Sequence, residues 1–198
     1  MRTRTPRWQS LRQLVGLHIP LYLQPWLREE GSLTRRLVAH CHDRFSLELL
    51  GSSWGRPFAD EHRALGLPSG RTALIREVYL RCGTRPVVFA RSVFPPRSLH
   101  GGNQRLARLR TRPLTSVLFA PRRASRGSLE VASLTPSDAL HVLATRGLVR
   151  GAPALWARRS LFFPAGKPVL VTEVFLPAMA SLGERTTGVF SGYPVPQG

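Results

Sequence analysis

Alternation of apolar and polar residues marks the segments of this chain that we expect to form β-strands. Side chains on a strand point alternately to opposite faces, so a period of two indicates a strand. Two such segments flank Ala165-Gly166, a dipeptide suited to a tight hairpin turn. The predicted strands are Phe45 to Leu50, Thr72 to Arg81, Arg85 to Phe94, Ser128 to Leu134, and the two arms of the hairpin between Ala154 and Pro177.

The segments with helical periodicity are shorter than the predicted strands' region and are scattered along the chain. Ser32 is placed to cap a helix on which Leu33 and Leu37 share one face. Gly51 to Gly70 is rich in Gly, Pro and Ser and predicts a loop. Short hairpin connections imply antiparallel pairing, so we expect the α+β class, with a single antiparallel β-sheet and helices packed on one side of it. The predicted helices are Leu33 to His40, Asn103 to Arg110, a short one through Leu114, Val117 and Leu118, and Thr135 to Arg146.

Length and composition indicate one domain with two flexible ends. A chain of 198 residues can bury one sizeable core. Residues 1–10 are polar and basic and predict a flexible start, and the domain is expected over 11–179. Residues 180–198 are rich in Gly, Ser, Thr and Pro and predict a flexible tail.

The charge is strongly one-sided. The net charge is +18, and all of the 29 basic residues except Lys167 are arginines. Such a surface favours anionic partners of any kind. Three interpretations stay open: a compositional bias on solvated surfaces, steering of a small anion, and nucleic-acid binding. Aromatic residues do not alternate with the arginines of Arg97 to Arg126, which argues against a stacking platform for nucleic acid.

The cysteine count and the hydropathy of the chain bear on its cellular compartment. Cys41 and Cys82 are too few for a disulfide framework, which favours a reducing compartment and a cytoplasmic protein. No apolar run reaches the roughly 20 residues that a membrane helix needs. His40 to Asp43 contains metal-ligating residue types, but adjacent residues rarely converge on one ion, so we predict no metal site.

Three charged residues fall on otherwise apolar strand faces. Alternation puts Glu173 among Val169, Val171 and Phe175. It also puts Arg76 and Arg91 on strand faces whose other residues are apolar. A buried charge is costly unless it is paired. An internal Arg–Glu pair would satisfy part of this set, and the surplus arginine predicts an anionic ligand with carboxylate groups.

Six short motifs follow one another in order along the chain. They are Leu74-Ile75-Arg76-Glu77, Ala90-Arg91-Ser92-Val93-Phe94-Pro95, Arg112-Pro113-Leu114, Leu155-Trp156-Ala157-Arg158-Arg159-Ser160, Gly166-Lys167-Pro168 and Thr172-Glu173-Val174-Phe175-Leu176-Pro177. This ordered set resembles one known family, the chorismate lyases, from about Leu11 to Pro177. The resemblance implies an antiparallel sheet with helices packed on it, a fold shared by the ligand-sensing domains of some transcription regulators.

The resemblance also implies a site. Arg76 would clamp the ring carboxylate, with Arg91 helping to hold the dianion, and Glu173 would lie near the ring hydroxyl. Leu114 would sit on a flap over the pocket, and Leu33 takes a place where the family usually has methionine. The departures from the family pattern are Ala90, where the family commonly has glycine, and an insertion over residues 135–153.

The implied activity is the cofactor-free elimination of pyruvate from chorismate, which gives 4-hydroxybenzoate for ubiquinone. Arg76 and Arg91 would place the substrate, and Glu173 would orient its hydroxyl or assist proton transfer. The alternative is a non-catalytic sensor of small aromatic acids, or a basic nucleic-acid-binding protein, on the same fold. Because the few residues before Leu11 cannot hold a helix-turn-helix domain, we expect an enzyme, with no nucleic-acid partner and with the monomer favoured.

Overall fold

One seven-stranded sheet organises the protein in a computed structural model, which describes residues 4–10, 18–109, 111–114, 124–148 and 153–183. Across the sheet the strands run in the order β1-β5-β6-β7-β4-β3-β2, and every neighbouring pair is antiparallel. This confirms the predicted α+β class and the single antiparallel sheet. The strands are β1 (Gln9–Ser10), β2 (Phe45–Gly55), β3 (Ala73–Cys82), β4 (Arg85–Phe94), β5 (Ala124–Leu134), β6 (Leu155–Pro164) and β7 (Val169–Phe175).

Helices cover both faces of the sheet rather than one. On one face, Leu37 of the second helix packs with Val78. On the other, Leu140 of the fourth helix packs with Phe89. Both sides of the central strands are apolar, so each side needs a cover. The helices are α1 (Gln24–Leu27), α2 (Leu33–Cys41), α3 (Ala59–Leu65), α4 (Ala139–Ala144) and α5 (Ala180–Gly183); 3₁₀ turns lie at Leu21–Leu23, His42–Arg44, Pro96–Ser98, Gly101–Arg108 and Pro177–Met179.

The stretch predicted as a loop, Gly51 to Gly70, contains two regular elements. Strand β2 continues to Gly55 because β3 pairs with it over its whole length, past a bulge between Leu49 and Gly51. Helix α3 then begins after Phe58, where the backbone N–H of Phe58 donates to the Glu61 carboxylate, and ends at Gly66 with φ of 59°. Tertiary pairing thus overrides the local composition of this stretch.

Three predicted helices differ in the structure. The first, Asn103 to Arg110, is a 3₁₀ helix over Gly101–Arg108. The second, Thr135 to Arg146, is shortened to α4, because the Asp138 carboxylate accepts from the Thr135 N–H and shapes a turn before the helix. The third, through Leu114 to Leu118, lies outside the described residues beyond Leu114.

Described residues at both ends of the chain contact the domain predicted over 11–179. Near the start, β1 pairs with β5, and the indole N–H of Trp8 donates to Asp60 at 2.7 Å. Near the end, Leu182 of α5 is buried in the core beside α1 and α2. The rest of the predicted flexible start and tail, residues 1–3 and 184–198, lies outside the described residues.

The two cysteines meet in the structure. Cys41 ends α2, Cys82 ends β3, and the structure joins them in a disulfide with Cα atoms 5.3 Å apart. The cysteine count alone did not predict this pairing. Among the described helices, none combines the length and hydrophobicity needed to cross a membrane.

The predicted tight turn at Ala165-Gly166 joins β6 to β7. Both residues have positive φ, 48° for Ala165 and 72° for Gly166, as a two-residue type I′ hairpin requires. The turn fixes the register of the arms, in which Phe162 faces Val169 and Arg158 faces Glu173. Two residues of the candidate site are placed by this turn.

We expect Ala165→Asn to stabilise the fold. Alanine is strained in the left-handed region, where a residue with a Cβ loses roughly 1–2 kcal/mol, while asparagine visits it more readily. The free energy of unfolding in urea should rise by about 0.5–1 kcal/mol. Gly166→Ala is the matched control and should be destabilised, because it places a second Cβ at positive φ. A less stable Asn variant would contradict this view of the turn.

Candidate active site

A cavity that is partly open to solvent lies between one face of the sheet and the start of α2. Alternation and register explain which strand residues line it. Arg76 of β3 faces Ser92 of β4, which faces Val171 of β7. In the next row, Ala90 faces Glu173. We call this side of the sheet the cavity face; its lining residues are Leu47, Arg76, Val78, Leu80, Ala90, Ser92, Arg126, Arg158, Phe162, Val171 and Glu173, with Gly31, Leu33, Thr34, Pro113 and Leu114 closing the cavity.

Four of the predicted site residues lie together at this cavity. They are Leu33, Arg76, Leu114 and Glu173. Leu33 is the first residue of α2, which Ser32 caps by accepting from the Arg35 N–H at 3.1 Å. The cap fixes where the helix begins, and therefore where Leu33 meets the cavity.

Arg76 is nearly fully buried, with 3% of its surface exposed. Its Nη2 donates to the carbonyl oxygen of Arg112 at 3.0 Å. Burial lowers the pKa of the Arg76 guanidinium. A guanidinium in this environment favours a nearby anion, because an anion restores the stabilisation that water would give.

Glu173 meets Arg158, which was not among the predicted site residues. The Nε of Arg158 donates to Oε2 of Glu173 at 2.6 Å. Its Nη1 donates to the carbonyls of Trp26 and Glu29, at 2.8 and 2.7 Å. These carbonyls lie at the end of α1, where a helix leaves acceptors unsatisfied. Within the described residues, no donor binds the other Glu173 oxygen, Oε1, which leaves it available to a ligand.

Arg126 of β5 is a third guanidinium at the cavity. Its Nε donates to Oγ of Ser160 at 3.0 Å, and its Nη1 donates to the carbonyl of Glu30. The guanidinium lies 5.3 Å from the ring centre of Phe162. Burial, and then the nearby charge of Arg158, lower the pKa of Arg126, more than the charge of Glu173 raises it.

Arg91 does not line the cavity, contrary to its predicted role in holding the dianion. It lies on the opposite face, where Nε and Nη2 donate to the two Glu61 oxygens at 2.7 and 3.0 Å, and Nη1 pairs with Glu77. Its guanidinium also stacks 4.4 Å from the ring centre of Phe58. Burial opposes the charge on Arg91, but hydrogen bonding and charge from Glu61 outweigh it and raise the pKa.

A β-bulge explains why Arg76 and Arg91 lie on opposite faces of the sheet. The turn after Cys82 pairs Cys82 with Arg85 and Arg81 with Pro86. Continued without a break, this register would place Arg76 opposite Arg91, on one face. The register shifts between Leu80 and Arg81, so Arg76 faces Ser92 instead. A shift of one residue sends every following side chain to the other face.

Arg158 and Arg126 were missed for different reasons. The signal for Arg158 was present, because a two-residue turn at Ala165-Gly166 pairs Arg158 with Glu173 directly. For Arg126, the register of β5 on β6 shifts between Arg126 and Leu129, so alternation along the sequence did not place it.

The cavity suits a small molecule with an apolar body and anionic ends. The described lining offers three guanidiniums and one carboxylate, embedded in leucine, valine and phenylalanine side chains. Charged donors in such a site can hold carboxylates in fixed positions. Glu173 can accept a hydrogen bond from a hydroxyl group, or accept a proton. The described residues bring no three of His, Cys, Asp and Glu together as metal ligands; His40 of the predicted cluster instead contacts the Arg36 carbonyl through Nδ1 at 2.9 Å.

Two solved structures illustrate the fold that this chain shares with known proteins. PhnF from Mycobacterium smegmatis aligns with a TM-score of 0.53 and 14% identity, over 77% of this chain and 66% of that one. A GntR-family transcriptional regulator from Bacillus cereus aligns with a TM-score of 0.51 and 11% identity, over 78% of this chain and all of that one. At these identities the likeness concerns the fold alone.

Proteins related in sequence identify the family, which the structural likeness does not. A probable chorismate pyruvate-lyase of Methylococcus capsulatus is 45% identical over 162 residues, covering 82% of this chain and 99% of the relative. One from Azoarcus is 46% identical, over 81% of this chain and 86% of the relative, and one from Aromatoleum aromaticum is 42% identical, over 92% and 99%. The family model for chorismate lyase matches residues 4–183. This chain belongs to the chorismate lyase family.

Proposed function

We propose that the protein eliminates pyruvate from chorismate and releases 4-hydroxybenzoate, the precursor of the ubiquinone ring. The observation that carries the proposal is one cavity that brings Arg76 and Glu173, on strands two apart, together with Arg158 and Arg126. Chorismate carries two carboxylates, a ring hydroxyl and an apolar ring, which match these groups.

The ring carboxylate is assigned to Arg76 and the ring hydroxyl to Glu173. Arg158 holds one Glu173 oxygen at 2.6 Å, so the other carboxylate oxygen has a fixed position toward the ligand. Leu33 and Leu114 cover the ring. Preorganised donors of this kind lower a barrier by placing the substrate and by meeting charge as it develops.

The proposed chemistry draws its driving force from aromatisation. The ether C–O bond at ring carbon 3 breaks, its electrons leave with the enolpyruvyl oxygen, and the hydrogen at carbon 4 leaves as a proton. The ring becomes 4-hydroxybenzoate, and the enolpyruvyl group becomes pyruvate when its methylene carbon gains a proton. We propose that this proceeds without a cofactor, in a cytoplasmic monomer.

The direct test is incubation of the purified protein with chorismate after dialysis against a chelator. We expect equal amounts of pyruvate and 4-hydroxybenzoate, measured by coupled reduction of pyruvate and by chromatography. Binding of 4-hydroxybenzoate without pyruvate release would favour the sensor alternative. Activity that is lost on chelation and restored by a divalent ion would contradict the cofactor-free reaction.

We expect Arg76→Ala to weaken 4-hydroxybenzoate binding roughly 10- to 150-fold, the equivalent of the roughly 1.5–3 kcal/mol of a hydrogen bond to a charged group. Calorimetric titration measures the affinity. Arg105→Ala removes an exposed arginine of the 3₁₀ helix and is the control for loss of net charge. Equal affinities for the Arg76 variant and the wild type would remove Arg76 from the site.

Glu173→Gln and Glu61→Gln form a matched pair of substitutions. Each removes the charge from a carboxylate bound to a buried arginine, Arg158 on the cavity face and Arg91 on the opposite face. Both should lower the melting temperature, with a loss of up to about 3–5 kcal/mol for a broken buried pair. Only Glu173→Gln should reduce pyruvate release per folded molecule, by roughly 10²–10⁴-fold.

Thermal melting and turnover on the same preparations separate the two roles. Near-normal turnover in folded Glu173→Gln would make Glu173 a structural residue. A comparable fall in folded Glu61→Gln would show that turnover reports distortion of the sheet rather than chemistry at the cavity.

A further inference from the structure

We propose that Arg126 binds the enolpyruvyl carboxylate, the group that chorismate carries and 4-hydroxybenzoate lacks. Arg126 would then recognise the substrate and not the aromatic product. This inference rests on the proposed function.

Arg126 is half-buried and differs in its partners from three of the four buried arginines. Arg158 is bound to Glu173, Arg91 to Glu61 and Glu77, and Arg159 to Asp60 and Glu130. In the described part of the chain, no carboxylate lies within ion-pair distance of Arg126.

The hydrogen-bond partners of Arg126 are neutral acceptors, although the carboxylates of Glu29, Glu30 and Glu173 are near enough to raise its pKa in part. The partners are Oγ of Ser160 and the backbone carbonyls of Glu29 and Glu30. These contacts use Nε and Nη1, and among the described residues none engages Nη2. A guanidinium held through Nε and Nη1 beside an aromatic ring keeps a fixed orientation with donor capacity left over at Nη2.

The electrostatics at Arg126 favour an anion. Burial and the neighbouring guanidinium of Arg158 lower its pKa, so its charge is stabilised less than it would be in water. A carboxylate bound at Arg126 would relieve this. It would also form the charge-assisted hydrogen bonds for which a guanidinium is suited.

Position in the sheet separates Arg126 from Arg76. Arg126 lies on β5 and Arg76 on β3, four strands apart in the order β5-β6-β7-β4-β3, and Glu173 lies on the middle strand. At a strand spacing of about 4.8 Å, the two backbones are about 19 Å apart. Both residues line the same cavity. A ligand anchored at Arg76 and centred on Glu173 therefore has its remaining anionic group on the side of Arg126.

The reaction gives this contact a consequence. When the ether bond breaks, the enolpyruvyl carboxylate leaves with pyruvate, and the substrate dianion becomes two monoanions. Arg126 would contact the substrate through the transition state and afterwards contact only the pyruvate. The aromatic product would stay bound through Arg76 and Glu173 alone.

The test compares two ligands on Arg126→Gln and Arg126→Lys. We expect kcat/KM for chorismate to fall at least 30-fold in the Gln variant, with the Kd of 4-hydroxybenzoate within threefold of wild type. The Lys variant should recover part of the loss, because it restores the charge without the planar fork. Arg76→Ala is the contrast, since it should weaken both ligands.

Two outcomes overturn the proposal. The first is an equal loss for chorismate and 4-hydroxybenzoate, which would mean that Arg126 only supports the segment at Glu29 and Glu30. The second is an unchanged kcat/KM for chorismate. If the Gln variant does not fold, the same comparison on the Lys variant decides, with at least a fivefold fall for chorismate alone expected. Failure of the proposed function is distinct, because the wild-type protein would then release no pyruvate.

Discussion

Burying a guanidinium is the constraint on which the rest of this structure depends. Arg76, Arg91, Arg158 and Arg159 project from central strands, and each is less than 9% exposed. A charge so placed must meet acceptors or the fold fails. The sheet meets this need with different groups on its two faces, and that difference separates a structural face from a functional one.

On the face opposite the cavity, the first turn of α3 supplies the acceptors. Asp60 and Glu61 reach Arg159 and Arg91, and the carboxylates of Glu77 and Glu130 complete the pairs. In this described group, four carboxylates surround two guanidiniums, and no further anion is required. On the cavity face Glu173 is the one carboxylate among the described lining residues, and backbone carbonyls accept from Arg76, Arg126 and Arg158. Carbonyls satisfy hydrogen bonds without cancelling charge, so this face keeps a positive field for a ligand.

The sequence identified the charged positions but not how they pair. Alternation found Arg76 and Glu173 on apolar faces because it depends only on the strand period. Pairing between strands depends on register, and a bulge between Leu80 and Arg81 sends Arg91 away from Arg76. Where the hairpin is regular, at Ala165-Gly166, register was available from the turn. The fold class followed from the hairpins, whereas α3 escaped prediction because its acidic first turn is stabilised by arginines distant in sequence.

The same distribution of charge bears on release as well as binding. Under the proposed roles of Arg76 and Arg126, a dianion that spans the cavity engages guanidiniums on β3 and β5 at once. Because its two ends are connected, the second contact costs less entropy than the first. Elimination cuts that connection, because each product keeps one carboxylate and loses the other end of the cavity. Each monoanion then has only its own contacts, and the pair no longer gains from being joined. Under these proposed roles, positive charge held by neutral acceptors favours the intact substrate over either product.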